Sequence, residues 1–188
     1  GHCFFNPHNA EAACDFASGL GMEYIVHYYL SDQIEHNVDA YKSAAEDLNA
    51  MGSIAKKYGM QLAYHNHGYE FNSVGDTSLF NILLEYTDPD LVAFQADLGW
   101  MVCADQNPVD YFECYQGRFP LWHFRDVDIH KKKSMAIGEG IVDFDAIYVG
   151  KEKAGLQYAI VEMGSDTEDV LNKIVDSCVL VRNWVDYK

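Results

Sequence analysis

The sequence predicts an α/β protein built on a parallel sheet, and three observations predict it. Short runs rich in β-branched and aromatic residues alternate with segments whose apolar residues recur every three or four positions. The connections between them are short and carry Gly, Asp and Pro, so about six βα repeats fit in the chain. The run Gln157-Tyr158-Ala159-Ile160-Val161 is nearly continuously apolar, as a strand is when both faces are covered. In folds of this kind the reactive groups sit where strands end and loops begin, whether the sheet is open or closed.

The elements follow in order. Residues 1–5 read as the tail of a strand, and Gly19-Leu20-Gly21 as a helix end and turn before the strand signal Tyr24-Ile25-Val26-His27-Tyr28-Tyr29. Tyr41, Ala44, Leu48, Met51, Ala55 and Tyr58 share one helical face, and Gly59 stands at the C-cap position. A second strand signal covers 60–64. Residues 77–86 carry Leu79, Ile82, Leu83 and Tyr86 at helical spacing, stopped by Thr87-Asp88-Pro89. Strands are predicted at 91–96 and 119–124, with a short helix starting at Pro108 between them. Ala136-Ile137-Gly138 reads as a brief extended piece and 143–154 as a helix ending at Gly155. The last helix opens on the capping box Ser165-Asp166-Thr167-Glu168 and places Leu171, Ile174, Cys178, Val181 and Val185 on one stripe.

Composition narrows the function. With 188 residues, 49% of them hydrophobic, the chain has material for a substantial core and reads as one domain over 1–188. A formal charge of −16, with Lys131-Lys132-Lys133 as the one basic run, repels a phosphate backbone, so nucleic acid is not an expected partner. No apolar run reaches membrane-spanning length, so no membrane partner is expected and the cytoplasm is the expected location. The cysteines Cys3, Cys14, Cys103, Cys114 and Cys178 are odd in number and form no CxxC, which argues against a disulfide framework and for buried thiols.

The strand ends hold the chemistry. Tyr64-His65-Asn66-His67-Gly68-Tyr69-Glu70-Phe71 follows one predicted strand, Asp97 the next, His123 with Asp126 the third, and Glu162 the last. Singly each has a plain explanation: an N-cap or turn for Asp97, a core histidine for His123, a solvated carboxylate for Glu162. Together they place imidazoles and carboxylates at equivalent points of successive βα units. Asp, Glu and His without Cys is the donor set of Mn²⁺, Mg²⁺, Zn²⁺, Fe²⁺ or Co²⁺, and its oxygen content leans to Mn²⁺ or Mg²⁺.

These motifs, with Asp97-Leu98-Gly99-Trp100, the segment 117–126, Ile137-Gly138-Glu139-Gly140 and Ile160-Val161-Glu162, resemble the sugar phosphate isomerase/epimerase family of xylose-isomerase-like TIM barrels. The resemblance implies a (β/α)8 barrel in which one divalent metal, Mn²⁺ foremost, is held by Glu70, Asp97, His123 and Glu162. Of these the first is open between Glu70 and His65, with Glu70 favoured. It further implies that Glu70 and Glu162 move protons and that His65, His67, Trp100, Arg125 and Asp126 contact substrate. Two departures stand out: Arg125 where lysine is usual, and Met163-Gly164 where Gln-Asp is usual.

By the same resemblance, the first strand, the first helix and most of the second strand are expected to be absent from this sequence. Such a chain should be of low stability or form a homo-oligomer through its open strand edges. The expected activity is isomerisation or epimerisation of a sugar through proton abstraction beside a carbonyl and an enediolate stabilised by the metal. Dehydration of a sugar or inosose is the competing reading. An inactive remnant and an endonuclease IV-like repair enzyme stand behind them, the last opposed by the acidic charge. No Gly-rich phosphate loop is visible, which favours an unphosphorylated sugar or cyclitol.

Overall fold

Strands and helices alternate along the chain as the periodicities require. The computed structural model describes residues 1–3, 5–30, 37–128, 133–164 and 169–187, which group into two compact units, 1–95 and 96–188.

The first unit contains β1 (His2–Cys3), α1 (Ala10–Gly19), β2 (Tyr24–His27), α2 (Val38–Lys57) and β3 (Gln61–His65). A 3-10 turn (Tyr69–Phe71), the short strands β4 (Ser73–Val74) and β5 (Thr77–Ser78), and α3 (Leu79–Tyr86) follow, before β6 (Val92–Asp97) leads out of the unit. β1, β2, β3 and the first four residues of β6 pair in parallel in that order. The predicted face of α2 is the buried one: Tyr41, Ala44, Leu48, Met51 and Ala55 all face inward, where each large side chain contributes about 2 kcal/mol of burial. α3 begins two residues later than its apolar spacing predicts. Val74 and Thr77 pair across Gly75-Asp76 in a tight hairpin, Gly75 taking φ +63°, and the Ser78 hydroxyl then accepts the Asn81 N–H as the helix N-cap.

The second unit starts with the last residues of β6 and continues with α4 (Leu98–Cys103), α5 (Pro108–Cys114), β7 (Leu121–Phe124), β8 (Asp126–Asp128) and β9 (Lys133–Met135). α6 (Phe144–Tyr148), α7 (Lys151–Ala154), β10 (Tyr158–Val161) and α8 (Val170–Tyr187) complete it. β7 and β10 are parallel, while β8 and β9 form an antiparallel hairpin. Their core is aromatic. Trp122 stacks on Phe112 at 4.7 Å, Phe124 on Phe144 at 5.3 Å, and Trp184 of α8 closes on Phe144 at 5.5 Å.

Several expectations change here. The extended piece predicted at 136–138 lies three residues earlier, in β9, and Gly138 turns the chain with φ +89°. The helix predicted over 143–154 is broken at Val149-Gly150, where a Cβ on Gly150 would meet the Phe112 ring at 2.9 Å. On α8 the packed positions are Ser177 and Val181 rather than the whole predicted stripe; Leu171, Cys178 and Val185 are exposed. β10 is not covered on both faces: Tyr158 and Ile160 are 43% and 37% exposed. Of the cysteines only Cys14 is buried. The capping box 165–168 and Lys131-Lys132 lie outside the described residues. Among the described residues no helix is long and apolar enough to cross a membrane.

Candidate metal centre

Three polar strand ends meet in the second unit. Asp97 is the last residue of β6 and the N-cap of α4, its Oδ1 accepting the Trp100 N–H at 2.9 Å. His123 is the third residue of β7. Glu162 follows directly on β10, and the register Val161↔Phe124 brings Glu162 level with Arg125, whose neighbour Phe124 accepts the Glu162 N–H at 3.1 Å. The N-cap expected as the plain explanation of Asp97 is thus real, and it occupies only one of the two carboxylate oxygens.

The other oxygens converge on one histidine nitrogen. His123 Nδ1 lies 3.7 Å from Asp97 Oδ2 and in direct contact with Glu162 Oε2. One donor atom from each of Asp97, His123 and Glu162 lies within 4.8 Å of the other two, close enough for one ion to touch all three. Two carboxylates and an imidazole, with no thiol, suit Mn²⁺, Zn²⁺, Mg²⁺, Co²⁺ or Fe²⁺, so the residues fit a divalent metal. Burial of His123 works against a charged ring, but hydrogen bonding to Asp97 and Glu162 outweighs it and raises its pKa.

Arg125 completes the group. Its Nε donates to Asp97 Oδ2 at 2.8 Å, one terminal nitrogen to Glu162 Oε1 at 2.5 Å and the other to the Ser134 hydroxyl of β9 at 3.2 Å. The guanidinium lies 5.4 Å from the Trp100 ring centre. Burial lowers its pKa, and the two carboxylates more than compensate, leaving it raised.

The first unit assembles its own cluster. His65 ends β3, buried, with its ring 5.0 Å from that of His2 and 4.9 Å from that of His67. His67 stacks on Tyr69 at 5.4 Å. Glu70, wholly buried, accepts the Tyr64 hydroxyl on one oxygen at 2.7 Å and the His67 N–H on the other at 2.8 Å. Both oxygens therefore hold the turn that follows β3, a local task that its spacing in the sequence does not disclose.

Asp126 also has a structural task. Its buried carboxylate accepts four backbone N–H groups, from Val127, Gly138, Gly140 and Val142, at 2.8–3.1 Å. A sugar hydroxyl would have to displace one of them. Sequence reasoning missed Ser134, which sits beside the basic run read as loop, and Gly99, where a Cβ would meet the Arg125 carbonyl at 2.7 Å. Nothing short of the strand pairing could have found the first.

Known proteins resemble this chain in sequence and fold. Inosose dehydratase of Lacticaseibacillus casei is 31% identical over 146 residues, covering 68% of this chain and 48% of that protein. The crystal structure of a sugar phosphate isomerase/epimerase from Parabacteroides distasonis superposes with a TM-score of 0.82 at 28% identity, over 93% of this chain and 62% of that one. An IOLI protein crystallised with a zinc atom shares the fold, with a TM-score of 0.73 at 18% identity over 96% of this chain and 73% of its own. The chain spans about half the length of the dehydratase it matches. The model of the xylose isomerase-like TIM barrel family matches residues 7–176, so nearly the whole sequence falls inside one family description. With parallel strands alternating with helices and the family match spanning residues 7–176, the chain belongs to the xylose isomerase-like TIM barrel family.

Proposed function

We propose that this chain is part of a divalent-metal-dependent enzyme that removes a proton beside the carbonyl of an unphosphorylated sugar or cyclitol, the chemistry of an isomerase or epimerase. The observation that carries this reading is the meeting of Asp97, His123 and Glu162 around one point at the ends of β6, β7 and β10. Bound there, a divalent ion, Mn²⁺ foremost, would polarise a substrate carbonyl as a Lewis acid. The proposed ligand set is drawn from the second unit alone, so Glu70, in the first unit, is not included in it.

Exposure divides the roles. The Asp97 side chain is 0% exposed and that of His123 6%, whereas that of Glu162 is 33% exposed. A proton-transfer group must reach its substrate, so Glu162 is the base, and Asp97 and His123 hold and orient. Trp100, partly exposed beside Arg125, offers an apolar wall for the ring of a sugar.

Dehydration is the second reading, favoured by the likeness to inosose dehydratase. Both reactions start with the same proton. Manganese-loaded protein and a Glu162→Gln variant, incubated in deuterated water with ketoses and inososes, are followed by NMR. Deuterium entering beside the carbonyl with carbon skeleton and oxygens retained supports isomerisation or epimerisation, and loss of water supports the dehydratase. No exchange and no conversion by the parent overturns both.

A further inference from the structure

We propose that Arg125 is a built-in counter-cation of the centre, a positioning residue that neutralises Asp97 and Glu162 when no metal is bound and competes with the metal for them. The inference rests on the metal reading above.

Three tethers hold the guanidinium in place. It donates to Asp97, to Glu162 and to Ser134, and the Trp100 ring lies beside it. α4 presses directly on its arm: a Cβ at Gly99 would meet the Arg125 side-chain carbons at 2.9 and 3.0 Å. Asp97 and Glu162 are two anions drawn onto one histidine, an arrangement that repels itself without a cation. The charge that relieves it cannot be shed, because arginine does not deprotonate in a protein. Asp97 Oδ2 is the atom Arg125 Nε binds and also the one that faces His123, so guanidinium and metal call on the same oxygen.

Two consequences follow from the charges. Metal-free protein keeps a paired centre and stays folded without the ion. A dication arriving beside a fixed positive charge binds more weakly than the two carboxylates alone would allow. Lysine at this position, a point charge on a flexible stem, could pair the carboxylates yet swing aside as the ion enters.

The test compares parent, Arg125→Gln and Arg125→Lys by Mn²⁺ titration, read by calorimetry and by electron paramagnetic resonance, with melting temperatures of metal-free and manganese-saturated protein. Removing the charge should tighten Mn²⁺ binding about tenfold in R125Q, with R125K between it and the parent. Metal-free R125Q should melt lower than the parent and gain more from manganese. Equal or weaker binding in R125Q overturns the proposal. If R125Q does not fold, R125K decides alone: tighter binding supports, equal or weaker binding overturns. Should the parent bind no Mn²⁺ at all, the metal reading fails and takes this inference with it, an outcome distinct from binding at unchanged affinity.

Discussion

Asp126 Oδ2 accepts the backbone N–H of Gly140 at 2.9 Å, and a Cβ on that glycine would overlap the same carboxylate. One buried side chain thus fastens residues 138–142 onto β8 through backbone groups alone. Replacing Asp126 by Asn turns an acceptor into a donor facing N–H groups. Urea unfolding should show a loss of about 2–4 kcal/mol for D126N, and a loss within 0.5 kcal/mol would refute the clasp.

Asp97 performs two tasks with two oxygens, and substitutions can separate them. Asn keeps an oxygen for the Trp100 N–H, whereas Ala removes the cap as well. Both variants lose the charge that pairs with Arg125 and should bind Mn²⁺ poorly. D97A should be less stable than D97N by about 1 kcal/mol, measured by chemical denaturation. Equal stabilities would mean that the cap contributes nothing.

Tyr64 supplies the buried hydroxyl that Glu70 accepts, and burial, followed by the Glu70 charge, raises its pKa far above the ordinary range. Tyr64→Phe keeps the ring and removes the nearer donor to this buried oxygen, leaving it the longer 3.5 Å contact with His67 Nδ1. The cost should be about 1–3 kcal/mol in unfolding free energy. An unaffected melting temperature would show that the turn after β3 is held by other contacts.

His27 makes a prediction about pH. Buried on β2, with the Phe5 ring edge-on at 5.4 Å, it has its pKa lowered by burial from 6.5 to about 4. Between these values the unfolded chain binds more protons than the folded one, so stability rises with pH there. Its contribution is whole above pH 6.5 and declines by up to about 3 kcal/mol as pH falls towards 4, below which it levels off. Unfolding midpoints of the parent and of His27→Gln should run parallel above pH 7 and converge in acid. Parallel profiles throughout would remove His27 from the account.

Period and punctuation made most of this fold legible. α2 and β3 stand within a residue or two of where apolar spacing and Gly59 put them, because a 20-residue helix with one apolar face has few alternative arrangements. The β4–β5 hairpin was not legible, since two-residue strands carry no periodicity; the turn at Gly75-Asp76 was its only mark. The strand-end positions of Asp97, His123 and Glu162 followed from counting βα units. What each atom does there did not, for it depends on the register of β10 against β7 and on which oxygen a cap occupies. Glu70 and Asp126 show the limit most clearly. A buried carboxylate that binds backbone N–H groups and one that binds a ligand are the same letter in a sequence.

The cap formed by Asp97 bears on how descendants of such a protein would be read. A lineage without the proposed chemistry would still be under pressure to keep a capping oxygen here, from Asp, Asn or Ser, because the start of α4 depends on it. Its retention records foldability. Glu162, the accessible member of the trio, starts no helix, so its survival or decay is the better indicator of whether an activity has been kept.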